Sequence, residues 1–312
     1  MRTLLAIGTI GDFVRQAQTK LAQAGFYNHP CDGWFGKDTA NAVGQFQQAH
    51  SLPVTRAIDE LNWTPLMQSA VPEVSARSLQ LTASFENHGF GVAVGNFDGA
   101  FLTWGIIGFT LASGKIPSIV LKLSQSAPHA VQQAFGSNAG ELLDLMAAPK
   151  EKQKSWADSH TLPSGQLAEP WKSMFADFGS YPEVQKEQME LVHSDYQLPA
   201  IAACRSLNFT TELGLALCFD IQVQNGGLMP SAMKMITTQR IGGIKEADLL
   251  AIVANAVADS ASARWKEDVR RRKLTIATGR GTVHGHLYVL EDWGLSQDYT
   301  AGEVTNERPN AG

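Results

Sequence analysis

The sequence predicts a mainly helical, α+β fold, in which a small three-helix module precedes a larger, mostly helical domain with a short β-hairpin. Apolar residues recur at helical spacing along most of the 312 residues. A hydrophobic content of 44% with 18% charged residues is ordinary for globular domains with real cores. Because the length exceeds that of a typical single domain, we expect two domains.

The N-terminal part of the chain, residues 1–67, contains three short helical segments. The first begins at Asp12 and ends near Gly25, which stands where a helix cap is expected. Its apolar face consists of residues at intervals of three and four, Val14, Ala17, Leu21 and Ala24. A second helix starts at Asp38, and a third, shorter element ends near Leu66.

These segments carry a motif that resembles the three-helix peptidoglycan-binding module of bacterial and phage cell-wall hydrolases. The matching residues are Val14-x-x-x-Gln18-x-x-Leu21-x-x-x-Gly25-x-Tyr27, Asp32-Gly-x-Phe-Gly36-x-x-Thr39-x-x-Ala42-Val43-x-x-Phe46-Gln47, Leu52-Pro53 and Asp59 with Trp63. Arg56 stands where the family commonly has glycine. The resemblance implies a sugar-peptide groove with four binding candidates, Asp32, Trp34, Phe35 and Thr39. For Gln18, Leu21 and Phe46, helix packing is the simpler interpretation.

The remaining chain is divided into a linker, a second domain and a tail. Residues 68–78 have no sustained hydrophobic period and predict a linker. The second domain is placed at 79–296, and helical patterns occur in it at 118–123, 140–146, 210–223 and 246–258. The polar segment 297–312 contains Pro and Gly, and we expect it to be a flexible tail.

Two carboxylates and a hydroxyl mark the start of the second domain. Glu86 follows Phe85 at an apolar helix end, Asp98 lies on a Gly-rich turn, and Thr103 lies on the outgoing strand of the predicted hairpin. Cleavage of a glycosidic bond needs a protonated carboxyl and an ionised carboxylate that activates water. The apolar setting would raise the pKa of Glu86, so Glu86 is the acid and Asp98 the base. By spacing alone, helix capping and turn formation explain the same residues.

The surrounding residues resemble a family of sugar-cleaving enzymes. The runs Phe85-Glu-Asn and Asp98-Gly-x-x-x-Thr-x-Gly-Ile-Ile-Gly-Phe109 resemble the inverting chitosanases of the lysozyme superfamily, and the order of Glu, Asp and Thr also resembles phage-type lysozymes. The resemblance implies a lysozyme-like fold with Glu86 as proton donor, Asp98 as water-activating base and Thr103 as the hydroxyl that positions the water. The segment between the acid and the base is shorter here than in the chitosanases.

Three further residues are substrate-binding candidates in the second domain. Asp220 resembles the aspartate that supports the cleft in those enzymes, and Arg264 with the later arginines resembles its basic partners. A structural ion pair and a direct sugar contact are both open for Asp220. Trp104 could stack on a sugar ring, although large aromatic residues are often core residues. His284-Gly-His286 has no third ligand at useful spacing, so we predict neither metal nor cofactor.

Composition restricts the partners. A net charge of −5 argues against a nucleic-acid surface, and no stretch reaches membrane-spanning length. Three cysteines without a C-x-x-C pattern suggest neither a disulfide framework nor a zinc knuckle. The N-terminus lacks the features of a signal peptide, so we expect the protein to be made in the cytoplasm and to reach the cell wall through a holin or a secretion machine. We also expect it to be a monomer.

The sequence therefore favours a modular peptidoglycan hydrolase of the lysozyme or muramidase type, similar to a phage endolysin. Its partner would be bacterial peptidoglycan. A chitosanase is the alternative within the enzyme class, and a transglycosylase outcome, with Glu86 acting alone, also remains open. The alternative from another class is a non-catalytic wall-binding or phage structural protein.

Overall fold

The computed structural model describes residues 2–86, 89–97, 99–240 and 242–305. Within this part the protein is mostly helical, with small antiparallel sheets of two or three strands, as the sequence predicts. The chain forms two compact units, one made of Met1–Phe85 with Tyr196–Gly312 and the other of Glu86–Asp195. In the described ranges, no helix combines the length and the apolar character needed to cross a membrane.

The first unit begins with a small helical module. Its elements are β1 (Thr3–Leu5), α1 (Asp12–Gln23), α2 (Lys37–Ala49), β2 (Ile58–Asp59) and α3 (Glu60–Met67). The predicted apolar face of α1 is confirmed at Val14, Ala17 and Leu21, which are fully buried, but not at Ala24, which follows the last residue of the helix and is exposed. Asp59 caps α3 by accepting from the backbone amides of Leu61 and Asn62.

Helix α4 (Val74–Phe85) follows the module. Residues 74–78, which the sequence assigns to a linker, form its first turn, so the predicted linker is too long at its C-terminal end. All residues from Arg77 to Phe85 are buried. A helix buried on every side has no polar face, and for this reason its sequence does not show an amphipathic period.

The second unit combines a three-stranded sheet with helices. The strands are β3 (Ala93–Val94), β4 (Thr103–Trp104) and β5 (Phe109–Thr110), in the order β3-β4-β5. The predicted hairpin is therefore part of a sheet in which β4 is central. The helices are α5 (Lys115–Ser126), α6 (Pro128–Phe135), α7 (Ala139–Ala147), α8 (Lys150–Ser159), α9 (Trp171–Phe178) and α10 (Pro182–Val192).

The chain then returns to the first unit. The elements there are α11 (Leu198–Leu207), α12 (Glu212–Asn225), α13 (Pro230–Gln239), α14 (Glu246–Ser260), α15 (Lys266–Thr278), the hairpin β6 (Arg280–Val283) and β7 (His286–Val289), and α16 (Gly302–Thr305). The four segments predicted as helical lie in α5, α7, α12 and α14. The prediction of a flexible tail from residue 297 is wrong as far as the described residues reach, since Ala301 and Val304 are buried.

A buried carboxylate connects the module to the rest of the first unit. Glu212, 1% exposed at the start of α12, accepts from Arg2 beside β1 and from Arg77 on α4, each at 2.9 Å. It also accepts from the backbone amide of Ser296 at 3.1 Å. Buried charges are stable only when they are paired and hydrogen-bonded, so this contact fixes several segments on α12.

Gln188 on α10 has a similar role in the second unit. Its side chain is fully buried. It accepts from the backbone amide of Ile106 and donates to the carbonyl of Phe90, both at 3.0 Å. The side chain thus joins the turn after β4 to the loop that precedes β3.

We expect Gly105→Ala to lower the free energy of unfolding. Gly105 has φ +94°, and an added Cβ would lie 2.7 Å from Gln188 Oε1 and 2.9 Å from Phe109 Cδ2. The left-handed backbone costs about 1–2 kcal/mol for alanine, and displacing Gln188 adds a buried, unsatisfied group. The loss should reach about 3 kcal/mol in urea titrations.

Gly114→Ala is the matched control. Gly114 has φ +81° with nothing within 4 Å of an added Cβ, so only the backbone cost applies. Equal losses for the two variants would mean that Gln188 does not restrict this position.

Candidate active site

Glu86 lies directly after Phe85, the last residue of α4. The last carbonyls of a helix lack partners within the helix, and here the β6–β7 hairpin supplies them. Tyr288 donates through its hydroxyl to the carbonyl of Ser84 at 3.3 Å, and His284 Nδ1 lies 3.0 Å from the carbonyl of Phe85. The side chain of Glu86 is exposed, so the predicted apolar setting of this carboxyl is wrong. Phe85 is buried by the packing of α4, whereas Glu86 has left the helix.

Asp98, the predicted base, lies outside the described residues. The residues that follow it are held by Asn96, whose Oδ1 accepts from the amides of Gly99 and Phe101 at 3.1 and 3.0 Å. Asn96 also donates to Asp158 at 2.6 Å. Phe101 has φ +69°, which is unusual for a bulky residue and is often found at functional sites. The Asn, Asp and Gly residues of the run Asn96-Phe-Asp-Gly99 are a sequence signal for a turn, although the prediction did not include Asn96.

Thr103 lies on the central strand β4. It pairs with Val94 on β3 and with Thr110 on β5, and it is 9% exposed. The strand assignment predicted for Thr103 is confirmed, and its role as the hydroxyl that positions water stays a prediction. The inverting outcome also stays a prediction, because it depends on the separation between the carboxyls of Glu86 and Asp98.

Trp104 does not fit the predicted role of a sugar-stacking residue. Its side chain is fully buried, and its indole nitrogen donates to the carbonyl of Phe175 at 3.1 Å. Its ring is stacked on Phe178 with centroids 5.5 Å apart. A ring without exposed surface cannot stack on a sugar, so Trp104 is a core residue of the second unit.

Asp220 on α12 is a structural residue that has no exposed surface for a sugar. Its carboxylate accepts from Arg272 at 2.7 Å, from Lys273 at 2.5 Å and from the hydroxyl of Thr82 at 3.0 Å. Burial by itself raises the pKa of Asp220, but the two cations outweigh it and lower the pKa to about 2. The ion-pair interpretation is therefore the correct one.

Arg264 does not supply the basic partner that the sequence suggested. The cations beside Asp220 come from α15, whereas Arg264 is exposed and lies over the ring of Trp265 at 4.6 Å. The register of α15 explains the error, because adjacent residues Arg272 and Lys273 both reach the buried carboxylate. A contact between Arg264 and substrate stays a prediction.

The predicted binding loop of the module is organised by Gln18. Its amide group lies 2.9 Å from Asp32 Oδ1, 3.1 Å from Thr39 Oγ1 and 3.0 Å from the carbonyl of Trp34, and its oxygen accepts from the amide of Gly33. The hydrogen bond from Gln18, then that from the Trp34 amide, lowers the pKa of Asp32. Gln18 thus does more than pack in a helix.

The four predicted binding residues of this loop are not equivalent. Phe35 is fully buried and Thr39 is 1% exposed, so both belong to the framework of the module and their prediction as contact residues is wrong. Asp32 is exposed, and Trp34 is 48% exposed. These two remain available to a ligand.

A groove on the module contains polar residues that the sequence interpretation missed. It has a volume of about 370 Å³ and is lined by Gly25, Phe26, Tyr27, Asn28, His29, Asp38, Asn41, Ala42 and Gln45. Asn41 and Gln45 are exposed one turn apart on α2. Their polar face is a signal that could have identified them, but solvated helix faces are so common that the pattern is not specific.

His284 and His286 both make defined contacts on the hairpin. His284 Nε2 lies 2.7 Å from Asp268 Oδ1, and His286 Nε2 lies 2.8 Å from the carbonyl of Gly8. The ring of His286 also meets that of Trp34, with centroids 5.2 Å apart. Across the described part of the chain, three or more His, Cys, Asp or Glu side chains are nowhere grouped to hold a metal ion.

We expect Asp220→Asn to destabilise the protein and to change its acid sensitivity. The folded-state pKa is about 2 against an ordinary value of 3.8, so the pairing contributes stability above about pH 4 that is lost as the pH falls through 2. At pH 7, removing the negative charge between the two buried cations should cost about 3–5 kcal/mol. Urea unfolding at pH 7, 4 and 2.5 measures both effects, with the exposed Asp298→Asn as control. A variant as stable as the wild type at pH 7 would contradict the assignment.

Comparison with known proteins gives a family for the module. Residues 10–61 match the family described as a putative peptidoglycan binding domain. No curated protein sequence matches the chain.

Solved structures give the fold of the larger part. The chain is similar to the GH46 chitosanase of Gynuella sunshinyii in complex with chitotetraose, with a TM-score of 0.53, 18% identity and coverage of 71% of this chain and 99% of that one. It is also similar to the native chitosanase of Bacillus subtilis, with a TM-score of 0.50, 20% identity and coverage of 66% and 88%. The protein therefore combines a segment that matches the peptidoglycan-binding family with a fold similar to that of GH46 chitosanases, as the sequence resemblance predicted.

Proposed function

We propose that the protein is a glycoside hydrolase that cleaves the glycan strands of bacterial peptidoglycan. The observation that carries this proposal is the presence, in one chain, of a match to the peptidoglycan-binding family and of a chitosanase-like fold. Glu86 supports it, because this exposed carboxyl stands at the end of a buried helix whose last carbonyls are held by a hairpin. A carboxyl on a rigid support is suited to catalysis.

In the proposed mechanism, Glu86 donates a proton to the leaving glycosidic oxygen. Asp98 accepts a proton from the attacking water, which Thr103 holds on the opposite face of the sugar. Asn96 supports this assignment, because its side chain holds the backbone amides of Gly99 and Phe101, which follow position 98. Attack by a water rather than by a carboxylate gives inversion at the anomeric carbon.

Chitosan is the second candidate substrate. The observation in its favour is that similar structures were solved with chitosan fragments, chitotetraose in one and 6 GlcN in another. The net charge of −5 suits a polycationic substrate. The module favours peptidoglycan over chitosan, since its family is described by that polymer.

A cysteine peptidase is a poorer explanation of the same chain. Burial, then the neighbouring Cys218, raises the pKa of the Cys204 thiol well above its usual range. Both thiols are buried. A catalytic cysteine needs an accessible thiol with a lowered pKa.

We expect Glu86→Gln to abolish cleavage of purified peptidoglycan. General acid catalysis contributes about 10²- to 10⁴-fold to the rate. The rate of turbidity loss should therefore fall by at least about 10²-fold. Mass spectrometry of the products should show new reducing ends with wild type only. Glu151→Gln, which changes an exposed glutamate on α8, is the matched control.

Other results of this experiment would separate the alternatives. Anhydro sugar ends would indicate a transglycosylase in which Glu86 acts alone. Cleavage of chitosan without cleavage of peptidoglycan would establish the second candidate. A wild-type protein that binds peptidoglycan but cleaves neither polymer would be a wall-binding protein, and the proposed hydrolase function would be wrong.

We also propose that the groove on α2 contacts the wall. The variant Asn41→Ala/Gln45→Ala should weaken co-sedimentation with peptidoglycan by about 10-fold, because each lost hydrogen bond contributes about 0.5–1.5 kcal/mol. Gln23→Ala, on the exposed face of α1, is the control. Unchanged sedimentation of the double variant would place the contact elsewhere, for example at Trp34.

A further inference from the structure

His284 bridges two acceptors at the end of α4. Its Nε2 lies 2.7 Å from the carboxylate of Asp268 on α15, and its Nδ1 lies 3.0 Å from the carbonyl of Phe85. Neither a carboxylate nor a carbonyl donates a hydrogen bond, so both ring nitrogens must carry a proton for both bonds to form. The ring is therefore held between α15 and the end of α4.

The groups packed around His284 come from α15, the β6–β7 hairpin and α4. On α15 the ring faces the carboxylate of Asp268, and the guanidinium of Arg272 lies 4.9 Å from the ring of Phe85. On the hairpin the neighbouring titratable group is His286, which faces the carbonyl of Gly8. On α4 the ring meets the C-terminal end of the helix, where the aligned peptide dipoles favour a cation.

The backbone at His284 is unfavourable for histidine. His284 has φ +49° and the next residue, Gly285, has φ +81°, which is the pattern of a tight two-residue hairpin turn. Asn or Gly occupies the first of these positions more readily than His. Turn geometry alone thus does not explain the residue, whereas its contact with Phe85 does.

The carbonyl of Phe85 and the amide nitrogen of Glu86 belong to the same planar peptide group. A hydrogen bond that fixes this carbonyl therefore also fixes the orientation of the peptide plane that contains the amide nitrogen of Glu86. We propose that His284, oriented by Asp268, is a positioning residue that aims the carboxyl of Glu86. This inference rests on the proposed role of Glu86 as the acid.

The contact between His284 and Phe85 lies next to Glu86, where a small displacement of the carboxyl has a large effect on the reaction rate. Tyr288 donates to the carbonyl of Ser84, and its ring packs at an angle against that of Phe85, with centroids 4.7 Å apart, so α4 keeps its place without His284. The peptide plane between Phe85 and Glu86, however, loses the hydrogen bond from His284. A catalytic group misplaced by about 1 Å can lose about 10²-fold in rate.

The test uses variants that suit the turn better than histidine does. His284→Asn and His284→Gly fit a positive φ, but neither can bridge Asp268 and Phe85, and Asp268→Asn removes the charge that orients the ring. On a soluble oligosaccharide of the cleaved polymer, kcat should fall about 10-fold while KM stays within about 2-fold. The melting temperature of the His284 variants should stay equal or rise. His129→Asn, at an exposed histidine on α6, is the matched control.

A measurement without turnover separates this proposal from the proposed function. In ¹H–¹⁵N spectra, the amide resonance of Glu86 should shift in His284→Gly and stay in place in His129→Asn. Folded His284 variants with wild-type kcat would overturn the positioning role. If the wild type cleaves neither polymer, the proposed function fails, and the Glu86 resonance alone decides whether His284 positions this residue.

Discussion

The structure of the first unit depends on two buried carboxylates of one helix. Glu212 and Asp220 are both on α12 and both almost without exposed surface. An unpaired charge in such a place costs several kcal/mol, so each carboxylate requires cations from other elements. Those cations come from the N-terminal residue Arg2, from α4 and from α15. The position of α4, and with it the point at which Glu86 leaves the helix, follows from these ion pairs.

The helices with one solvated face could be predicted, and the fully buried helices only in part. The faces of α1 and α2 show a clear period because one side meets water. Helices α4 and α12 are buried on almost every side, and the first turn of α4 was therefore assigned to the linker. The partners of Asp220 are separated from it by 52 to 138 residues, and a sequence pattern contains no information on which of several cations reaches it.

The residues of the candidate site could also be predicted only in part. Local motifs were sufficient to place Glu86 at a helix end and Thr103 on a strand, because both depend on neighbouring residues. Exposure depends on what packs against a residue from elsewhere in the chain. Phe35 and Thr39, which the motif match made contact residues, and Trp104, chosen because its ring could stack on a sugar, are therefore buried framework that the sequence could not distinguish from contact residues. The polar residues of the α2 groove were missed for the same reason.

The module is packed against the rest of its unit rather than attached by a flexible tether. Gln80 on α4 accepts from the free amides of Asp12 and Phe13 at the start of α1, and His286 reaches the carbonyl of Gly8. If the module were attached by a flexible tether, the gain in affinity from two binding sites on one polymer would depend on the length of the linker. With a packed module, the groove keeps a fixed place relative to α4 and to the rest of the first unit. In the proposed function, the module therefore holds a bound polymer in a defined orientation on the first unit, in addition to contributing affinity.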